Sequence, residues 1–199
     1  MKLFELEKQL GFTFPEAFHT IYETGAMKWL EMSREELKNN REKYISDSKA
    51  FLMLNCDCEP YLFDEIPETI ERLKKWIVSQ EQDRNISLSE EITLIPFGHN
   101  GGGDLYCFLV SKTENEPMII LYYHDEYGNP KIIGHDFDEF LYVQMLDAVE
   151  NEEDINGENY QNQMWYLNVE YRQKLVDKDV DMLLDDYDSI VFDVAKIWC

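Results

Sequence analysis

The chain has 199 residues, a length that suits one domain with an appendage or one large domain. Hydrophobic residues make up 44% of it and aromatic residues 14%, so we expect a folded core rather than intrinsic disorder. Asp and Glu number 41 against 18 Lys and Arg, which gives a formal net charge of -23. This charge repels phosphates and anionic lipid head groups, and therefore disfavours nucleic acid and membrane surfaces as partners. A basic protein partner and simple solubility both remain compatible with it.

The N-terminal sequence and the cysteine spacing indicate the cellular compartment in which the protein is expected. Residues 1–14 mix apolar and charged side chains, so they lack the unbroken apolar stretch of a secretory signal. No apolar run approaches the roughly 20 residues that cross a bilayer. The spacing of the cysteines suits neither a dense disulfide framework nor a paired zinc motif. These cysteines are Cys56, Cys58, Cys107 and Cys199. We therefore predict a cytoplasmic protein.

Helical patterns dominate the first half of the chain. Gly11 and Gly25 are typical helix stops, and Pro15 is tolerated in a first turn. Ser33 and Glu36 have the spacing of a capping box. Apolar residues repeat at i, i+4, i+7 and i+11 at Ile66, Ile70, Leu73 and Ile77. Together these features predict helices over about 2–10, 15–24, 34–44 and 66–77.

Short β-branched and aromatic segments, separated by turn residues, predict strands. They cover residues 50–54, 61–63, 92–98, 105–110, 118–123 and 131–134. Short connections favour antiparallel pairing, and a further helix is predicted from about Asp136, with Glu139 in a capping-box spacing. Helices before and after a run of strands indicate an α+β fold.

The chain changes character near residue 150. Residues 150–159 are polar and acidic, and are typical of a loop or linker. From 150 to 199 there are 13 acidic and 4 basic residues, a net charge of -9. We expect a main domain over 1–149 and an acidic C-terminal extension over 150–199 that packs on it.

Three consecutive glycines, Gly101 to Gly103, suggest two structures. Their backbone N–H groups could surround a phosphate, but such a loop also needs a following lysine and a helix. Here Asp104 and a strand follow instead, and the aspartate opposes an anion. A tight turn with positive φ between two strands is therefore favoured.

Metal-dependent hydrolysis by His99, His124 and His135 is a hypothesis from another class. It requires three or four convergent ligands, which spacing alone does not show. We predict no catalytic residue, no metal and no cofactor. Trp29, which follows Gly25 in an expected loop, is predicted to be the tryptophan least committed to the core.

Several segments in order resemble the SUKH superfamily, which includes the yeast Smi/Knr regulators of cell-wall synthesis and many bacterial immunity proteins. The resemblance spans about residues 3–149. It is carried by Leu10-Gly11 with Phe14-Pro15, Leu94 to Gly98, Asn100 to Asp104 with Tyr106, Ile119-Ile120, His124-Asp125, and Asp136 to Leu141. The chain departs from the family pattern at Phe14, where Leu is expected, and at Thr24-Gly25-Ala26, where Asn-Gly-Gly is common.

The resemblance implies a single α+β domain with a twisted, mainly antiparallel sheet flanked by helices, and no catalytic residues to transfer. It implies structural roles for Gly11, Pro15, Gly25, Pro96, Gly98, Gly101, Gly102 and Asp104. It also implies a bacterial immunity protein that neutralises a cognate toxin, with a nuclease expected because its phosphate-binding surface is basic. An intracellular regulator of the Smi/Knr type is the alternative. Candidate partner contacts are Trp29, Asp104, Asp125 and Glu126; the oligomeric state stays open.

Overall fold

The computed structural model describes residues 1–45, 58–114, 116–125, 129–151, 155–191 and 193–198. Within these residues the chain forms eight α-helices and five β-strands. The helices are α1 Leu3–Leu10, α2 Glu16–Glu23, α3 Arg34–Ile45, α4 Ile66–Arg84, α5 Phe137–Glu150, α6 Glu158–Gln163, α7 Val169–Asp177 and α8 Val180–Val191. The strands are β1 Glu59–Pro60, β2 Ile92–His99, β3 Leu105–Ser111, β4 Met118–Tyr122 and β5 Lys131–Gly134.

The strands form one sheet in the order β1-β2-β3-β4-β5, and every neighbouring pair is antiparallel. This confirms the α+β class and the antiparallel meander. The strand predicted over 61–63 is displaced, because the ladder pairs Glu59 and Pro60 with the end of β2. Tyr61 continues the contact only through its N–H, which donates to the Phe97 carbonyl at 2.8 Å. The strand predicted over 50–54 lies outside the described residues.

The helix predictions agree with the structure at their capped ends. The Ser33 N–H donates to Glu36 Oε2 at 2.9 Å, as a capping box requires. Asp136 caps α5 by accepting from the Glu139 N–H at 2.7 Å. Helix α4 continues well beyond the last predicted residue and ends at Arg84. The expectation that Trp29 lies in a loop and is the tryptophan least committed to the core is wrong. A 3₁₀ turn over Lys28–Glu31 places it in the core, where it is 7% exposed.

Both faces of the sheet are covered. Five successive residues of β3, from Leu105 to Leu109, are buried, although neighbouring side chains on a strand point to opposite faces. On one side Phe97 and Phe108 contact the rings of Phe137 and Phe140 at the start of α5. The central strand β3 is therefore buried on both faces of the sheet.

The residues after 150 share this core. Leu167, Leu183, Ala195 and Ile197 are each at most 4% exposed and belong to the same apolar cluster as the sheet. Residues 193–198 run beside the sheet, where the Ala195 N–H donates to the Pro130 carbonyl at 2.9 Å. The division into two parts at residue 149 stays a prediction. Among the described helices, none has the length and apolar character needed to cross a membrane.

Candidate functional site

The loop between β2 and β3 is held by the side chain of Asn100. Its Oδ1 accepts from the N–H of Gly102 at 3.0 Å and from that of Asp104 at 2.9 Å. Of the three consecutive glycines, only Gly103 has a positive φ, at 92°. The predicted tight turn is confirmed, and the backbone N–H groups of Gly102 and Gly103 are used inside it.

Asp104 joins this loop to the end of β4. Its Oδ2 accepts from Asn100 Nδ2 at 3.0 Å, while its Oδ1 lies 2.9 Å from His124 Nδ1 and accepts from the His124 N–H at 3.3 Å. Burial alone would raise the pKa of Asp104, but the hydrogen bonds from Asn100 and His124 outweigh it and lower the pKa below its ordinary value. The ionised carboxylate is therefore the form that this loop requires.

An aromatic and charged surface extends from His124 across helix α4. The rings of His124 and Trp76 lie 5.6 Å apart, and the Arg72 guanidinium lies 5.4 Å from the Trp76 ring centroid. Arg72 Nη2 also donates to the Tyr61 hydroxyl at 3.1 Å, and the Tyr61 ring lies 5.0 Å from that of His99. We call this surface the strand-end cluster; its members are Tyr61, Arg72, Trp76, His99, Asp104 and His124.

The topology explains why these residues meet. Antiparallel pairing brings the end of β2, the start of β3 and the end of β4 together at one end of the sheet. The residues at these positions are His99, Leu105 and Tyr122. Arg72 and Trp76 are four residues apart on α4 and therefore lie on one face of that helix. The i, i+4 spacing could have identified this pair from sequence, but its position beside His124 depends on how α4 packs on the sheet.

The candidate contact residues are placed unequally. Asp125 is exposed beside the strand-end cluster, whereas both carboxylate oxygens of Asp104 accept hydrogen bonds within the loop and its side chain is only 14% exposed. Trp29 is buried. Glu126 lies outside the described residues, so its role as a contact stays a prediction. Of the four candidates, Asp125 is the one that the structure shows to be accessible.

The residues predicted to have structural roles lie at turns and close approaches. Gly11 has a φ of 64° at the end of α1, and Pro15 precedes the first residue of α2. Pro96 lies in β2 beside an irregularity in the register, where a missing N–H is tolerated. A Cβ on Gly98 would lie 2.9 Å from Cys58 Sγ, so the sheet needs a glycine there. Gly25 has a φ of 84° just after α2.

The three histidines of the hydrolase hypothesis do not converge. His99 and His124 lie at one end of the sheet, but His135 follows β5 at the opposite end and pairs with Glu139 at 2.7 Å. A different set does meet, since Asp104, His124 and Asp125 each offer one ligand atom within 4.8 Å of the others. The hydrogen bonds of Asp104 already account for this arrangement as a link between loop and strand. The absence of a metal site stays a prediction.

The chain forms an α+β fold in which the strand-end cluster lies at one end of an antiparallel sheet, beside helix α4. The model of the SMI1 / KNR4 family (SUKH-1) matches residues 2–142, and the chain belongs to this family. No curated protein and no solved structure matches the chain. The family match ends within α5, so α6, α7 and α8 lie beyond it.

Proposed function

We propose that the chain is a non-catalytic bacterial immunity protein that binds and neutralises a cognate protein toxin in the cytoplasm of the cell that makes it. Membership of the SMI1 / KNR4 family (SUKH-1) carries the proposal. The resemblance to the SUKH superfamily implies that its bacterial members are antidotes to toxins encoded beside them. A nuclease is the expected toxin, since a surface that binds phosphates is basic and complements a net charge of -23.

The strand-end cluster is the proposed contact surface. Trp76 and Arg72 belong to the residue types that dominate protein interfaces, and the exposed carboxylate of Asp125 lies beside them. The hydrogen bonds of Asp104 hold His124 and the loop in place, so little ordering would be needed on binding. Asp104 therefore positions this surface, while Asp125 supplies its accessible negative charge.

Co-expression with the product of the neighbouring gene tests the function. A toxic C-terminal domain encoded there should be neutralised, should co-purify with the chain, and should associate faster at low salt than at high salt. A neighbourhood without such a gene, and no rescue by the chain, would favour the regulatory alternative of the Smi/Knr type.

A matched pair of charge reversals tests the surface. Asp125→Lys and Glu90→Lys change the net charge equally, but Glu90 is exposed before the start of β2, at the other end of that strand from His99. The eight residues of β2 separate these ends by roughly 25 Å. We expect Asp125→Lys to weaken toxin binding about 10-fold or more, and Glu90→Lys by less than about threefold. Equal effects would show that only overall charge matters.

A further inference from the structure

A concave surface lies where the residues after 160 meet the family-matched part of the chain. It is a cavity of about 460 Å³ between α2, the start of α5, and residues 165–172. Volumes of this order hold ligands larger than a single ion. Residues of both parts of the chain line the cavity, among them Glu16, Asp138, Trp165 and Arg172.

The charges in this cavity are unbalanced. Among the described residues that line it, four carry carboxylates, Glu16, Glu116, Asp136 and Asp138, and one carries a cation, Arg172. None of these carboxylates forms an ion pair with a described lysine, arginine or histidine. Burial raises the pKa of Asp138, and the charges of Asp136 and Glu116 raise it further against the hydrogen bonds from Asn168. A bound cation would relieve this repulsion.

Arg172 lines the same cavity but forms no ion pair with these four carboxylates. Its guanidinium lies 5.0 Å from the centroid of the Trp165 ring, and its Nη2 donates to the Leu167 carbonyl at 3.3 Å. Its Nε is buried without a hydrogen-bond partner among the described residues. Arg172 therefore contacts Trp165 and Leu167 and not the carboxylates. Asp136 and Asp138 do accept hydrogen bonds, from the Glu139 N–H and from Asn168, but these donors are uncharged.

Exposed apolar side chains lie at Trp165 in the cavity and on helix α7, which begins next to the lining residue Asn168. Trp165 is 70% exposed although it lines the cavity, and Val169 at the start of α7 is 75% exposed. Val176, seven residues later on the same face of α7, is 66% exposed. An exposed tryptophan beside a cavity is typical of interface anchors rather than of a solvated helix face.

We propose that this cavity binds an arginine side chain of a protein partner, with Trp165, Val169 and Val176 packing on the partner residues around it. Carboxylates match the planar donor set of a guanidinium. Trp165 already contacts the Arg172 guanidinium but is 70% exposed, so its ring can also contact a second guanidinium. Arginine therefore fits this lining better than lysine. The identity of the partner as the toxin rests on the proposed function, but the chemistry of the cavity does not. Because residues 165–172 lie beyond the family match, this site would distinguish the chain from the shared domain.

A titration of the full chain with N-acetyl-arginine methylamide, followed by tryptophan fluorescence, tests the proposal. We expect a saturable change that weakens with salt, and no such change with the neutral isostere N-acetyl-citrulline methylamide. A Trp165→Phe variant should lose the signal. Equal responses to the arginine and citrulline probes would overturn the proposal.

Asp138→Asn and Asp188→Asn are the matched variants, since each removes one negative charge and Asp188 is exposed on α8. Asp138→Asn should weaken the affinity for the arginine probe about three- to fivefold, whereas Asp188→Asn should leave that affinity unchanged. Because the raised pKa means that folding disfavours the ionised form of Asp138, its replacement should maintain or raise the melting temperature at pH 7. Lost probe binding together with a lowered melting temperature would contradict this role.

Measurements of toxin binding distinguish the proposed function from the proposed arginine site. If the wild-type chain binds no product of the neighbouring gene, the proposed function fails while the probe titration still decides the nature of the cavity. If toxin binds the wild type and Asp138→Asn with equal affinity, the proposed function stands and the cavity is not the anchor.

Discussion

Replacing Asp104 with asparagine should destabilise the fold through the link between the β2–β3 loop and the end of β4. The carboxylate accepts three hydrogen bonds, at 3.0 Å from Asn100 Nδ2 and at 2.9 and 3.3 Å with His124. Asparagine retains one acceptor oxygen, and its amide group faces a donor on the other side. The change therefore removes a negative charge and at least one charge-assisted hydrogen bond while preserving the shape of the side chain.

The magnitude follows from the burial of Asp104. Hydrogen bonds to charged groups contribute about 1.5–3 kcal/mol, and the 14% exposure of this side chain leaves most of that contribution unscreened. We expect a loss of about 2 kcal/mol at pH 7, which corresponds to roughly 4–8 °C in melting temperature. The folded pKa lies below the ordinary value of 3.8, so the contribution is complete above about pH 4. It is lost as the pH falls through the folded pKa.

Urea unfolding at pH 7, pH 5 and pH 3 measures this effect. The deficit of Asp104→Asn should be the same at pH 7 and pH 5 and smaller at pH 3. Asp125→Asn is the control, because it removes the same charge from an exposed neighbour and should stay within about 0.5 kcal/mol of wild type. Equal deficits for the two variants, or a deficit of Asp104→Asn that is unchanged at pH 3, would refute the reasoning.

Three further changes test the packing. Gly134→Ala should lower the free energy of unfolding in urea by about 3 kcal/mol or more, because its Cβ would lie 2.6 Å from a backbone nitrogen of α5. Gly101→Ala is the control and should be nearly neutral, because no atom lies within 4 Å of the added Cβ. Ile197→Ala should lower the free energy of unfolding by about 2–4 kcal/mol, because Ile197 is 0% exposed. Val194→Ala, at a 51% exposed position, should lower it by less than about 0.5 kcal/mol. Cys107 should resist iodoacetamide at pH 8 until the protein unfolds, because burial raises the pKa of its thiol; peptide mapping that finds rapid native labelling would contradict this.

Local patterns were sufficient to predict most of the elements. Capping pairs and periodicity act over a few residues, so the Ser33–Glu36 box and the start of α5 at Asp136 could be read directly. The strand predicted over 61–63 lies at Glu59–Pro60 instead. Apolar character indicates burial and not strand pairing, and Tyr61 to Phe63 are buried but do not pair as a strand. Pairing depends on the partner strand, which local sequence does not specify.

The candidate sites were harder to predict, because they depend on which elements meet. Trp29 follows a glycine in a sequence typical of a loop, yet the surrounding helices bury it. Trp165, in a tail expected to pack on the domain, is 70% exposed. Neither difference is visible in the residues nearby. The position of Trp76 against His124 likewise depends on how α4 packs on the sheet.

The C-terminal segment contributes to the core and is also proposed to contact a partner, and a deletion cannot separate these two roles. Removing residues 150–199 would expose the core around Leu183 and Ile197, and would break the 2.8 Å hydrogen bond from the Tyr142 hydroxyl to Asp186. Loss of partner binding in such a deletion would therefore follow from unfolding as readily as from a lost contact. Trp165→Ala avoids this ambiguity, because a side chain that is 70% exposed contributes little to the core. It should keep the melting temperature within about 2 °C of wild type while abolishing binding of the arginine probe.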